Sequence, residues 1–126
     1  GLTIEEMSRD RLVATIRNKR KSGNHIGGVH AAAMALMAET VTGLLVGMNL
    51  PKGSLPLIKT LTLHYKPRAK GDMRAEAWLT PEQVELMQTE ERGTVMVGSR
   101  VTDETGEEPI TCEMEWAWVP DRKPRG

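Results

Sequence analysis

The fold turns on residues 29–50, VHAAAMALMAETVTGLLVGMNL. This run is too long for an ordinary strand, which seldom exceeds about ten residues. It is also rich in Ala, Leu and Met, which favour helix. Pro51 stops it, because proline brings no N–H to the next turn. The composition therefore predicts a helix over about 29–49. A helix apolar on all sides either crosses a membrane or is wrapped by its own protein. Glu39 decides between these, since a carboxylate near the middle of a membrane span costs about 2.5–3.5 kcal/mol on insertion scales. Thr40, Thr42, Gly43 and Gly47 weaken the membrane reading further. The run reads as a buried central helix.

Strands supply what wraps it. Residues 3–8 and 11–18 read as two strands joined at Arg9-Asp10, the second alternating Leu12, Ala14 and Ile16 with Val13, Thr15 and Arg17. A basic, turn-rich link, Lys19 to Gly23, leads to the helix. Beyond it, residues 56–66 alternate Leu57, Leu61, Leu63 and Tyr65 with Thr60, Thr62 and His64. Residues 72–79 set Met73, Ala75, Ala77 and Leu79 against Arg74, Glu76 and Trp78. Residues 94–102 and 109–119 form a hairpin across Asp103 to Gly106, with Ile110, Cys112, Met114, Trp116 and Trp118 on one face of the second strand. Thr80-Pro81-Glu82-Gln83 is a capping box with proline at the first helical position, so residues 81–88 read as a short inserted helix. The fold class is α+β: an antiparallel sheet of about six strands curled around one long helix.

Size and composition narrow the function. The chain has 126 residues, enough for one domain with a real core, 1–126, in which 121–126 reads as a loose tail. Seventeen basic and seventeen acidic residues cancel, which leaves no broad basic footprint for nucleic acid. Cys112 is the single cysteine, so neither a disulfide framework nor a zinc site built on Cys pairs is open to the chain. It lies in an alternating apolar run and reads as a packed core thiol. His25, His30 and His64 form no metal-ligand spacing with it. The first residues carry no basic-then-apolar export signal, which predicts a cytoplasmic setting, and Gly1-Leu2 in place of a start Met suggests a trimmed chain. With three Trp, one Tyr and no Phe, eight Met help to fill the core, as gap-fillers or as an adaptable pocket lining. A sheet of this size leaves edges exposed, and joining two sheets edge to edge would cover them.

The helix entry carries the sharpest motif, Asn24-His25-Ile26-Gly27-Gly28-Val29-His30-Ala31, with Glu39 nine residues after His30. It resembles the N-x-x-G-x-[LV]-H signature of PaaI-like hotdog thioesterases, and the string NHIGGVHA is similar to the DUF4442 branch of that superfamily. LTLHYKPRAKGD at residues 61–72 resembles the strand and turn that follow the helix in the same proteins. The resemblance spans about residues 10–119 and implies a hotdog fold. It also implies hydrolysis of an acyl thioester carried on coenzyme A or a carrier protein. No cofactor is implied beyond coenzyme A as part of the substrate. The expected assembly is a homodimer with a shared active site, with pairing of dimers into tetramers left open. No nucleic acid or membrane partner is expected.

Residue by residue, the resemblance makes Glu39 the general base or the nucleophile, acting on a thioester held by the other protomer. It gives Asn24 to positioning the carbonyl or the attacking water, and the Ala31 N–H to the oxyanion. Thr60, or Thr62 if the register shifts, corresponds to a water-orienting hydroxyl. The chemistry agrees: N–H groups in the first turn of a helix point outward unpaired at the positive end of its dipole, and Gly28 lets a ligand approach them. Each residue also has a plainer reading. Asn24 suits an Asx-turn beside Gly23. His30 either touches substrate or orients the helix start. Glu39 in an apolar helix is a costly unpaired carboxylate, poised for chemistry or tied in a salt bridge across the interface. Lys66, Arg68 and Lys70 either meet coenzyme A phosphates or form a solvated turn. Many relatives carry Gly at the place of Ala31 and Asp at that of Glu39, which bears on approach to the helix start and on the reach of the acid.

Two other functions remain open from the residues alone. A dehydratase or hydratase of acyl thioesters would use His30 with Glu39, although no Asp-x-Asn-x-x-His motif is present. A non-catalytic acyl-thioester binder would need only the pocket.

Overall fold

The computed structural model describes residues 2–16, 27–65, 72–108 and 110–121, with 27–32 described in their backbone only. Six strands and two helices follow in the order β1 (Leu2–Met7), β2 (Arg11–Ile16), α1 (Gly27–Asn49), β3 (Ser54–Tyr65), β4 (Met73–Trp78), α2 (Pro81–Thr89), β5 (Gly93–Thr102) and β6 (Ile110–Pro120). They form one antiparallel sheet of order β1-β2-β4-β5-β6-β3, which leaves β1 and β3 at its edges. The strands expected from alternation are all present, within two residues at each described end. Lys19 to Gly23 and the tail from residue 122 lie outside the described residues.

Alternation sets the face on which α1 packs. Leu12 and Ala14 of β2, Ala75 and Ala77 of β4, Val95, Val97 and Val101 of β5, and Ile110, Met114, Trp116 and Trp118 of β6 are buried in one cluster. The helix adds Met34, Met37, Ala38, Val41, Leu45 and Val46 to it. Small residues in β4 let α1 lie close to the sheet, while the β6 tryptophans fill the space beside it. Asn49, 3 % exposed, donates from Nδ2 to the Arg9 carbonyl at 2.7 Å and so fastens the end of α1 to the β1–β2 turn.

Local chemistry fixes the turns. Thr80 and Gln83 complete the expected capping box of α2: Thr80 Oγ1 accepts from the Gln83 N–H at 3.1 Å, and Gln83 Oε1 accepts from the Thr80 N–H at 2.8 Å. In the β5–β6 turn the buried Asp103 carboxylate accepts from the Thr105 N–H at 2.9 Å, the Thr105 hydroxyl at 2.6 Å and the Glu107 N–H at 3.1 Å. Gly106 there has φ +86°, a conformation that costs a residue without Cβ little.

One expectation needs refinement. The helix is apolar all round, yet the sheet covers only one side of it. Leu36, Leu44 and Met48 are 64 %, 44 % and 42 % exposed. A single sheet can enclose only part of a cylinder, so an apolar helix needs a second cover that the described residues do not supply. Among the described residues no helix is long and apolar enough to cross a membrane.

Candidate active site

Glu39 lies half-buried in α1, between the covered and the open face. Residues three and four positions on share its side of the helix, and both meet β6. Thr42 is fully buried and its Oγ1 accepts from Trp116 Nε1–H at 2.9 Å. Gly43 lies so near Trp116 that an added Cβ would sit 2.8 Å from the ring carbon Cη2. Trp116 in turn pairs with Ile58 of the edge strand β3. On its other side Trp116 pairs with Val95 of β5, so the Glu39 turn is tied to β6 between those two strands. Among the described residues no hydrogen bond or ion pair holds its carboxylate.

The other expected half of the site is the start of α1. The helix begins at Gly27, two residues before the predicted start, so the amides without an intrahelical carbonyl are those up to about Val29. Ala31 lies one turn in. Asn24 lies outside the described residues, and the side chain of His30 is not described. A helix rises about 1.5 Å per residue, which sets Glu39 roughly 12 Å from Ala31 and roughly 16 Å from Gly28 along the axis. One side chain and one hydrogen bond do not span that gap. A carbonyl held at the helix start is out of reach of the Glu39 of the same chain.

Thr60 falls elsewhere. It pairs with Glu115 on the face of the sheet turned away from α1, and its hydroxyl donates to Glu115 Oε1 at 3.1 Å. Thr62, opposite Glu113, and His64, opposite Thr111, share that outer face. The inner face of β3 carries Ile58, Leu61 and Tyr65, 37 %, 43 % and 50 % exposed. Lys66, Arg68 and Lys70 lie outside the described residues. Cys112 lies on the inner face beside Leu63, where burial pushes its thiol up and the Glu108 charge adds to that against a hydrogen bond with Ser99. A thiol held protonated is a poor nucleophile, in keeping with a packed core residue.

The sequence reading did not single out Trp116 or Gly43 as neighbours of the Glu39 turn. The available signal was Thr42-Gly43, a hydroxyl and then no side chain, interrupting an otherwise apolar run three and four residues after the acid.

Comparison with known proteins places this geometry in a family. The model of a domain of unknown function, DUF4442, matches residues 1–119. The chain belongs to the DUF4442 family. No curated protein matches it. Among solved structures, this DUF4442 chain is similar to a Pseudomonas aeruginosa protein of unknown function described as a probable thioesterase. The two are 26 % identical with a TM-score of 0.79, over 94 % of this chain and 83 % of the other. A Haemophilus influenzae thioesterase is 15 % identical with a TM-score of 0.66, over 99 % of this chain and 82 % of that one. A Bacillus halodurans protein whose structure was determined with coenzyme A is 21 % identical with a TM-score of 0.65, over 98 % and 75 %. The fold of this DUF4442 chain is the hotdog, and its structural neighbours are thioesterase-type proteins of that fold.

Proposed function

We propose that this protein hydrolyses an acyl thioester, with coenzyme A as the carrier, in a site shared by two copies joined along β3. The observation that carries this reading is Glu39. It is a half-buried carboxylate in the middle of an apolar helix, without a partner among the described residues and too far from its own helix start to act there. Such a group is costly to keep unless it works. The coenzyme A bound to the Bacillus halodurans neighbour supports the choice of carrier.

In this reading the thioester carbonyl lies against the free amides at Gly28 and Val29 of one copy, one turn before Ala31 and with Asn24 beside it, where the helix dipole steadies the developing oxyanion. Glu39 of the second copy takes a proton from water as the hydroxide adds to the carbonyl carbon. The C–S bond then breaks, and the thiolate leaves and is protonated. In the nucleophilic variant a Glu39 oxygen adds instead, and water hydrolyses the resulting anhydride. Lys66, Arg68 and Lys70 follow the end of β3 and fit the role of meeting the coenzyme A phosphates. Thr60, engaged by Glu115 on the outer face, is given no step.

The test is hydrolysis of short, medium-chain and aromatic acyl-CoAs by wild-type protein and by Glu39→Gln. Loss of the acid should lower kcat by roughly 10²–10⁴-fold, the usual contribution of a positioned acid or base. Unchanged hydrolysis by Glu39→Gln would overturn the mechanism. Hydration of crotonyl-CoA without hydrolysis would assign the fold to a hydratase, and binding without turnover to a carrier or sensor.

A further inference from the structure

The turn of α1 that carries Glu39 is fastened to the sheet by two consecutive residues acting on one side chain. Thr42, 0 % exposed, donates from Oγ1 to the Ala38 carbonyl at 2.8 Å, with the Glu39 carbonyl 3.2 Å away. The same oxygen accepts from Trp116 Nε1–H at 2.9 Å. Beside it Gly43 has no side chain, and the indole lies where a Cβ would go. Trp116 is 8 % exposed and sits in β6, next to the edge strand β3. A hydroxyl that back-bonds to the preceding turn bends a helix locally, and here an indole N–H in the sheet holds that hydroxyl. Among the described residues the helix has no comparable polar tie on its open side: Thr40 donates to the Leu36 carbonyl of α1 itself, at 2.7 Å.

We infer that Thr42 and Trp116 are positioning residues, which set the rotation and depth of the α1 turn that presents Glu39 to a thioester. The inference rests on the proposed role of Glu39. Reacting groups need placement within a fraction of an ångström, and a shift of about 1 Å can cost about 100-fold in rate. An apolar helix lying on an apolar sheet can slide or roll among packings of similar energy. A directional N–H···O bond from sheet to helix selects one of them.

A built-in control stands two residues further along β6. Trp118 is fully buried, its Nε1–H donates to the Glu90 carbonyl at 2.9 Å, and its ring packs where a Cβ on Gly93 would go. That arrangement, an indole N–H bond beside a glycine, resembles the Trp116 tie, but its acceptor is the residue that ends α2 and not the Glu39 turn.

The experiment measures kcat, KM and thermal unfolding for Thr42→Val, Thr42→Ser, Trp116→Phe, Trp118→Phe and Glu39→Gln on the acyl-CoA that wild type hydrolyses best. Thr42→Val and Trp116→Phe are expected to lose roughly 10–100-fold in kcat, with KM within about twofold, as for a misplaced reacting group. Thr42→Ser should recover most of kcat. Trp118→Phe should lower the unfolding temperature by a similar amount and leave kcat unchanged. If Glu39→Gln is inactive while folded Thr42→Val and Trp116→Phe keep wild-type kcat, the positioning role falls and the role of Glu39 stands. If Trp118→Phe loses as much kcat as Trp116→Phe, the effect is one of general stability and the inference falls. Should Thr42→Val fail to fold, Trp116→Phe reports on the same bond. A fully active Glu39→Gln removes both the function and this inference.

Discussion

The two edges of the sheet are finished differently. Edge strand β1 has six residues, with its register broken between Ile4 and Glu6, and polar groups on its outer face fix it to β2. Thr15 donates to Glu5 Oε2 at 2.9 Å, and Arg11 bridges Glu6 and Glu76. Bulges and charges of this kind keep an edge from pairing with another chain. Strand β3 at the opposite edge is twice as long, apolar along its inner face and, at Leu55 and Leu57, on its outer face as well. Leu55 and Leu57 are exposed on the outside, Ile58, Leu61 and Tyr65 on the side of the helix. It too has an irregularity, between Ile58 and Thr60, but Thr60–Tyr65 then runs unbroken against β6. The contrast teaches that one edge is closed by polar chemistry, while the other leaves apolar side chains open on the same molecule whose helix also has an open apolar face.

Placing a charge on the open edge would break that contrast most severely. Leu61→Glu sets a carboxylate on the inner face of β3, and it should weaken pairing of two copies by at least about 100-fold, given that an unpaired buried charge costs about 3–5 kcal/mol. Sedimentation or light scattering across a dilution series reads the change, and hydrolysis should fall with the pairs. The matched Ile4→Glu on β1 should leave the association state as it was. Equal effects at the two edges would remove the distinction.

A smaller change sharpens it. Deleting Glu5 removes the extra residue of the β1 bulge and its bond from Thr15. The expected cost is about 1 kcal/mol or less, the worth of one exposed hydrogen bond, measured by urea unfolding. The straightened edge should also self-associate slightly at high concentration.

The smallest effect concerns pH. Burial by itself would raise the Glu76 carboxyl, but hydrogen bonds from Arg11 and then Arg74 outweigh it and hold the group below the ordinary carboxylate range. A depressed folded-state value gives stability that is present above the unfolded value, about 4.3 for glutamate, and is lost as pH falls through the lower folded one. Arg11→Ala should therefore melt slightly below wild type near neutral pH. The gap should close as Glu76 becomes protonated below about pH 4; a gap that persists there would mean that Arg11 acts by packing alone.

Much of the fold was legible because its signals are local. Alternation marked the inner faces of β2, β4 and β6, and Thr80 with Gln83 fixed the start of α2 through bonds that span three residues. Glu39 stood out for a similar reason, as a charge where its neighbours are apolar. The outward placement of Leu57 was harder to read: alternation groups it with Leu61, but the irregularity between Ile58 and Thr60 turns it to the outer face opposite Ala117, and nothing in the local pattern announces a bulge. The one-sided cover of α1 was hidden as well. Hydrophobicity records that a surface must be buried, not whether its own chain or another buries it.

The sequence by itself determined the element order, the apolar helix ended by Pro51, the inward faces of β2, β4 and β6 and the presence of one acid, Glu39, within an apolar run. All of these follow from periodicity and propensity within a few residues. Only the tertiary structure decided the sheet order, the unequal edges and the tie between Thr42 and Trp116, which stand 74 positions apart in the chain. Pairings over such separations are chosen by how side chains of distant segments fit once the sheet has closed over the helix, and that fit has no period to be read in a linear string.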